Sequence, residues 1–250
     1  MRISITDRCN LRCCYCMPNG IRQGPAKDIL TLEEYGKVAF CGARLGIRKI
    51  KVTGGEPLAR LGCCQLVAML KETPGIEKVT ITTNGMLLEQ HLEDLIQAGI
   101  DGINISLDTL DEKLYGALTG GGRLKAVMSA LESGLKACYQ LQIPIKINAV
   151  SLDLKAVARQ LGCGGGDYNW HSLLMLAKRY PVDVRFIEMM PVGYGKGFQT
   201  LDHQILLQEL EKRYPAMERD ERVHGNGPAV YYRIPGFLGS VGFISAIHNK

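Results

Sequence analysis

The chain has 250 residues, 46% hydrophobic and 22% charged. That composition excludes intrinsic disorder and is enough for one large α/β domain or two smaller ones. Thirty Lys+Arg against 25 Asp+Glu leave a net charge of +5, which suits a small anionic ligand. Without a basic tract or aromatic–basic alternation, it does not point to nucleic acid.

Arg2–Thr6 reads as a strand, followed by a cysteine-rich loop. Thr31–Leu45 reads as a helix, with Thr31 as N-cap and Glu34 at capping-box spacing. The alternation continues with strand Lys49–Thr53, helix Gln65–Glu72, strand Lys78–Thr83, helix Leu88–Ala98 and strand Gly102–Leu107. Helix Arg123–Ala137, strand Ile145–Val150, helix Leu173–Arg179, strand Asp183–Glu188 and helix Asp202–Arg213 follow. Val230–Ile247, rich in β-branched and aromatic residues, reads as a hairpin attached after the main sheet. Such repetition predicts parallel strands joined by right-handed crossovers. The expected fold is a partial (βα)6 TIM-like barrel over residues 1–200, with a β-rich C-terminal extension over residues 201–250. Its site belongs at the C-terminal ends of the strands. There the sequence places Asp7–Cys16, Gly54–Pro57, Asn84-Gly85, Asp108-Thr109 and Met189–Pro191.

No apolar run approaches the roughly 20 residues of a bilayer span, and Met1–Arg8 has no signal core. No membrane partner is expected, and the cytoplasm is the default location. Mitochondria are the alternative for a eukaryotic chain whose transit peptide is missing. Cysteines clustered in a chain without an export signal point to metal binding or reactivity rather than disulfides. Cys9, Cys13 and Cys16 follow C-x-x-x-C-x-x-C. The spacing also fits one helix face, so a buried stripe is the alternative. Zinc is the chemical rival, but no second C-x-x-C pair follows to complete four ligands. Three thiolates would leave one iron of a cubane cluster open to a substrate or cofactor.

The run Thr6-Asp7-Arg8-Cys9-Asn10-Leu11-Arg12-Cys13-Cys14-Tyr15-Cys16-Met17-Pro18 resembles the cluster loop of the radical S-adenosylmethionine superfamily. Val52–Leu58, Thr82–Gly85, Asn104–Asp108 and Val184–Pro191 follow in order. Together the five segments resemble the GTP 3′,8-cyclase family of molybdenum-cofactor biosynthesis.

The resemblance implies a [4Fe–4S] cluster on Cys9, Cys13 and Cys16, with S-adenosylmethionine at the open iron. It places Tyr15, Gly55, Ser106 and Met190 at the cofactor, and Arg2, Lys51, Thr82 and Lys146 at GTP. Lys51 stands where the family usually has Arg, which keeps the charge but loses the bidentate fork. The implied reaction converts GTP to 3′,8-cyclo-7,8-dihydro-GTP, with a flavodoxin- or ferredoxin-type electron donor; a homodimer is left open. Two departures temper this expectation. The family's second cysteine triplet does not precede Lys250, so one cluster and reduced cyclisation are expected. Leu154–Trp170 also matches poorly. Radical chemistry on another substrate such as a peptide, a non-catalytic paralogue and a zinc module remain alternatives.

Overall fold

The computed structural model describes residues 1–20, 29–222, 224–225 and 227–245. The chain divides into two compact units. The first comprises Met1–Arg12, Asn19–Ile105 and Lys125–Ile145; the second comprises Cys13–Pro18, Ser106–Leu124 and Lys146–Lys250.

In the first unit, strands β1 (Arg2–Ser4), β2 (Lys49–Thr53), β3 (Lys78–Thr83) and β4 (Ile103–Ser106) lie in that order, and all pair in parallel. Helices α1 (Leu32–Arg44), α2 (Cys63–Glu72), α3 (Leu88–Gln97) and most of α5 (Leu124–Tyr139) belong to this unit. The Thr31–Glu34 capping box forms as expected, with Glu34 N–H donating to Thr31 Oγ1 at 3.3 Å and Thr31 N–H to Glu34 Oε2 at 2.7 Å. Strand alternation sorts the residues onto two faces. Ile50, Val52, Val79, Ile81, Ile103 and Ile105 share one face, and the core adds Leu66, Val67, Leu70, Leu88 and Leu95 from the helices, all buried. Arg2, Lys51 and Thr80 stand in register on the other face, with Ser4, Thr53, Thr82 and Asn104 one step further along.

In the second unit the strand order is β5 (Ile145–Val150), β6 (Asp183–Ile187), β9 (Val241–Ile244), β8 (Val230–Arg233) and β7 (Glu218–Arg219). The expected C-terminal hairpin forms from β8 and β9. β9 pairs antiparallel with β8 and parallel with β6, so the hairpin is attached to the sheet through β9. Its last expected residues, beyond 245, lie outside the described residues. Helices α4 (Glu112–Thr119), α6 (Leu154–Gln160), α7 (His171–Arg179) and α8 (His203–Arg213) complete the unit.

Two helices went unread in the sequence because they are short. α4 has eight residues between the Asp111 cap and Gly120, which takes φ +68°. α6 has seven residues, opened by Asp153 accepting from Lys155 N–H and Ala156 N–H. α6 accounts for the first part of the Leu154–Trp170 segment, and its Leu154, Val157 and Ala158 join a core cluster with Leu114, Leu118 and Leu152. α2 begins at Cys63, two residues earlier than expected.

β1 pairs with β2 and β7 with β8, and neither has a second strand neighbour among the described residues. The α/β class with a mostly parallel, unclosed sheet agrees with the expected partial barrel. No helix among the described residues is long and apolar enough to cross a membrane.

Candidate active site

In the first unit the cluster loop leaves β1 under tight backbone control. Gly55 N–H donates to Thr6 O at 2.7 Å and Glu56 N–H to Arg8 O at 2.8 Å. A Cβ on Gly55 would stand 2.3 Å from Arg8 O and 2.7 Å from Asp7 O, and one on Gly54 would stand 2.7 Å from Thr6 O. The two glycines thus let the loop after β2 lie against the chain that delivers Cys9.

Glu56 is buried and holds the adjacent rim together. Its Oε1 accepts from the Thr83 hydroxyl at 2.7 Å and from Leu58 N–H at 3.1 Å, while Oε2 accepts from Asn84 N–H at 2.7 Å. Burial pushes this carboxyl up, opposed by those same hydrogen bonds. The Asn84 amide donates to Asn10 Oδ1 at 2.7 Å and toward Cys9 Sγ at 3.8 Å. Leu11 N–H also donates to Cys9 Sγ at 3.4 Å. Burial raises the Cys9 thiol, and the donors from Leu11 and Asn84 favour its thiolate. The donor set fits a sulfur that is to carry negative charge onto iron.

Arg2 and Lys51 are register partners on adjacent parallel strands, so two cations stand side by side on the polar face. Arg2 Nη2 donates to Thr53 Oγ1 at 3.5 Å. Thr82 lies on the same face of β3, opposite Asn104.

In the second unit, Cys13–Cys16 forms a turn in which Cys16 N–H and Met17 N–H both donate to Cys13 O. Cys14 N–H donates to Leu118 O at 2.9 Å, and its side chain packs with Tyr15 against the α4–α6 core. Cys14 is therefore the packing thiol of the loop. The Tyr15 hydroxyl donates to Asp108 Oδ2 at 2.6 Å, and Asp108 Oδ1 accepts from Val150 N–H at 2.8 Å. Burial lifts the Tyr15 phenol well above its ordinary range, and burial also raises the Asp108 carboxyl. Ser106 ends β4, half-buried, whereas Met190 is exposed.

Lys146 was expected to need an anion, and the structure supplies one from within the chain. Its Nζ lies 2.7 Å from Asp183 Oδ2, donates to His224 O and sits 5.1 Å from the Tyr231 ring centre. His224 stacks on Tyr231 and bridges Asp183 and Asp220, each at 2.9 Å. The Arg222 guanidinium holds the Asp220 carboxyl far below the usual range. Nearby on the same face of β5, Asn148 Oδ1 is buried without a hydrogen-bond partner.

Sequence reasoning named the motifs but passed over Glu56, Asn84 and Asp108 as individual residues. Each fixes the cluster loop through a hydrogen bond, and its only signal was its place beside a named residue. Among the cysteines outside the loop, Cys41 is exposed on α1, while Cys63 and Cys138 are buried. Burial pushes the Cys63 thiol up to about 12.

Residues 3–153 match the family described as Radical SAM superfamily, and residues 182–250 match Molybdenum Cofactor Synthesis C. The GTP 3',8-cyclase of Peptoclostridium acidaminophilum is 41% identical over 252 residues, covering 100% of this chain and 73% of that protein. Those of Alkaliphilus oremlandii and Clostridium perfringens strain 13 are 39% and 38% identical, each covering 100% of this chain and 73% of the relative. Among solved structures, Streptococcus suis SuiB bound to S-adenosylmethionine superposes with a TM-score of 0.66 at 18% identity, covering 99% of this chain and 50% of that one. Methylornithine synthase PylB gives 0.61 at 19%, covering 86% and 61%. The fold and the cysteine loop define a radical S-adenosylmethionine protein, a class that uses a [4Fe–4S] cluster and S-adenosylmethionine. Within it, the chain belongs to the GTP 3′,8-cyclase family. These relatives are bacterial, which takes support from the mitochondrial alternative.

Proposed function

We propose that this chain converts GTP to 3′,8-cyclo-7,8-dihydro-GTP in molybdenum-cofactor biosynthesis, with Cys9, Cys13 and Cys16 holding its cluster. When bound to Cys9, Cys13 and Cys16, the cluster would supply one-electron reduction of S-adenosylmethionine, and with it the means to abstract hydrogen from the ribose. The chain's own residues bind and orient. Tyr15, Gly55, Ser106 and Met190 line the cofactor; Tyr15 acts through its ring, since its hydroxyl is engaged by Asp108. Arg2, Lys51, Thr82 and Lys146 receive GTP. Residues 1–200 would form the radical core and 201–250 the helix and strands that adjoin it.

The pairing of Arg2 with Lys51 carries this reading. Like charges on neighbouring strands repel, and a triphosphate relieves that repulsion with charge-assisted hydrogen bonds. Lys146 would contribute by exchanging part of its Asp183 contact for phosphate. A flavodoxin- or ferredoxin-type donor supplies the electron, and homodimerisation is compatible with this scheme.

Anaerobic reconstitution, with iron and sulfide counted per chain and products analysed with GTP, tests the proposal. About four iron and four sulfide per chain, 5′-deoxyadenosine and the cyclised nucleotide are expected. Zinc in place of iron, or 5′-deoxyadenosine formation indifferent to GTP, would overturn it.

A further inference from the structure

Outside the cluster loop, the first unit gathers a second set of metal-capable side chains. Cys64 is the second residue of α2, and His91 and Asp94 lie three residues apart on α3, so they share one helix face. The two helices pack together. The Cys64 sulfur, a His91 ring nitrogen and an Asp94 carboxylate oxygen all lie within 4.8 Å of one another. Cys64 and His91 are half-buried and Asp94 is exposed, which gives the group a dry side and an entry path. Besides a hydrogen bond to its own backbone, the Cys64 sulfur interacts with the Asp94 carboxylate, its neighbour in the group.

We propose that Cys64, His91 and Asp94 form a binding site for Zn²⁺, completed by water as the fourth ligand. The donor set of one thiolate, one imidazole and one carboxylate suits a borderline-soft divalent ion and excludes Mg²⁺ and Ca²⁺ as preferred occupants. Tetrahedral zinc places its ligand atoms roughly 3.5 Å apart, so side-chain rotation by about an ångström closes the site. Binding ionises the Cys64 thiol and releases its proton to solvent; no electron is transferred.

The site would clamp two elements that matter elsewhere. α2 follows the Gly54–Ala59 segment and α3 follows Asn84-Gly85, the two loops that Glu56 ties together. Tying the helices restrains the loops that position Asn84 beside Cys9.

The test uses the whole chain, reconstituted anaerobically so that the N-terminal triplet is occupied. Zn²⁺ is titrated against a chromophoric chelator, and thermal unfolding is recorded with and without the ion. One further Zn²⁺ per chain and a rise in Tm are expected. Cys64→Ser and Asp94→Asn should each weaken binding more than about tenfold and remove the rise in Tm. Asp94 is exposed, so its variant carries the test even if Cys64→Ser fails to fold. A chain with Cys9, Cys13 and Cys16 changed to Ser should keep this site, which separates it from the cluster reading. Equal zinc uptake by the wild type and Asp94→Asn, or no uptake by the wild type, would sink the proposal.

Discussion

Tyr15 donates its hydroxyl hydrogen to Asp108 across 2.6 Å, tying the residue between Cys14 and Cys16 to the end of the segment that follows β4. The bond joins positions 93 residues apart in sequence. It also leaves Asp108 with two donors, Tyr15 and Val150 N–H, for a carboxyl that burial would otherwise isolate.

Tyr15→Phe removes one of those donors while keeping the ring against the α4–α6 core. Stability should fall by about 1–3 kcal/mol, the range for a buried acceptor left short of a partner. Urea unfolding measures the loss. Iron retained after reconstitution should fall with it, because the Cys13–Cys16 turn loses its tether.

Glu56→Gln has a pH signature. Burial raises the Glu56 carboxyl, so the folded chain holds this proton more tightly than the unfolded chain does. Its contribution therefore makes stability fall as pH rises from the ordinary glutamate value toward the raised one. Glutamine abolishes that slope. Near neutral pH it should still cost about 1–3 kcal/mol, because its amide group meets the Asn84 N–H donor. Urea unfolding at a series of pH values separates the two effects.

Lys51 and Lys146 should respond differently to loss of charge. Lys51→Met, at a half-buried position, should change stability by less than about 0.5 kcal/mol while raising the Kd for GTP roughly tenfold. Lys146→Met breaks a buried pair with Asp183 and should cost about 3 kcal/mol of stability as well. Calorimetric GTP titration beside thermal unfolding distinguishes a ligand contact from a structural one. Equal stability losses in both variants would contradict the difference in their surroundings.

Gly55→Ala places a methyl group into the Arg8 carbonyl. Backbone cannot rotate aside as a side chain would, so the loop must shift, at a cost of about 1–3 kcal/mol. The readout is cluster content after reconstitution, which should drop further than stability alone explains.

Most strands were legible because each is a short β-branched run with clear turn chemistry on either side. The triplet was legible for a different reason, since three thiols at fixed spacing are rare in such a chain. Glycine at position 55 was expected at the cofactor; the close approach of the Arg8 backbone to the same glycine carried no signal in the sequence. The partner of Lys146 was hidden because Asp183 and His224 lie 37 and 78 residues away. Periodicity carries no information about which distant charge a strand lysine will meet. α4 and α6 escaped because two turns of helix leave too little pattern to separate from a loop.

β9 occupies the position between β6 and β8 although it follows both in the sequence. During synthesis, β7 and β8 emerge from the ribosome with nothing to dock on until Val241–Ile244 follows them. Because β8 and β7 reach β6 through β9, interrupting translation shortly before residue 241 leaves two strands detached for the absence of four residues. Completion of this sheet thus waits on Val241–Ile244, and the nascent chain carries an unpaired β6 edge until they emerge.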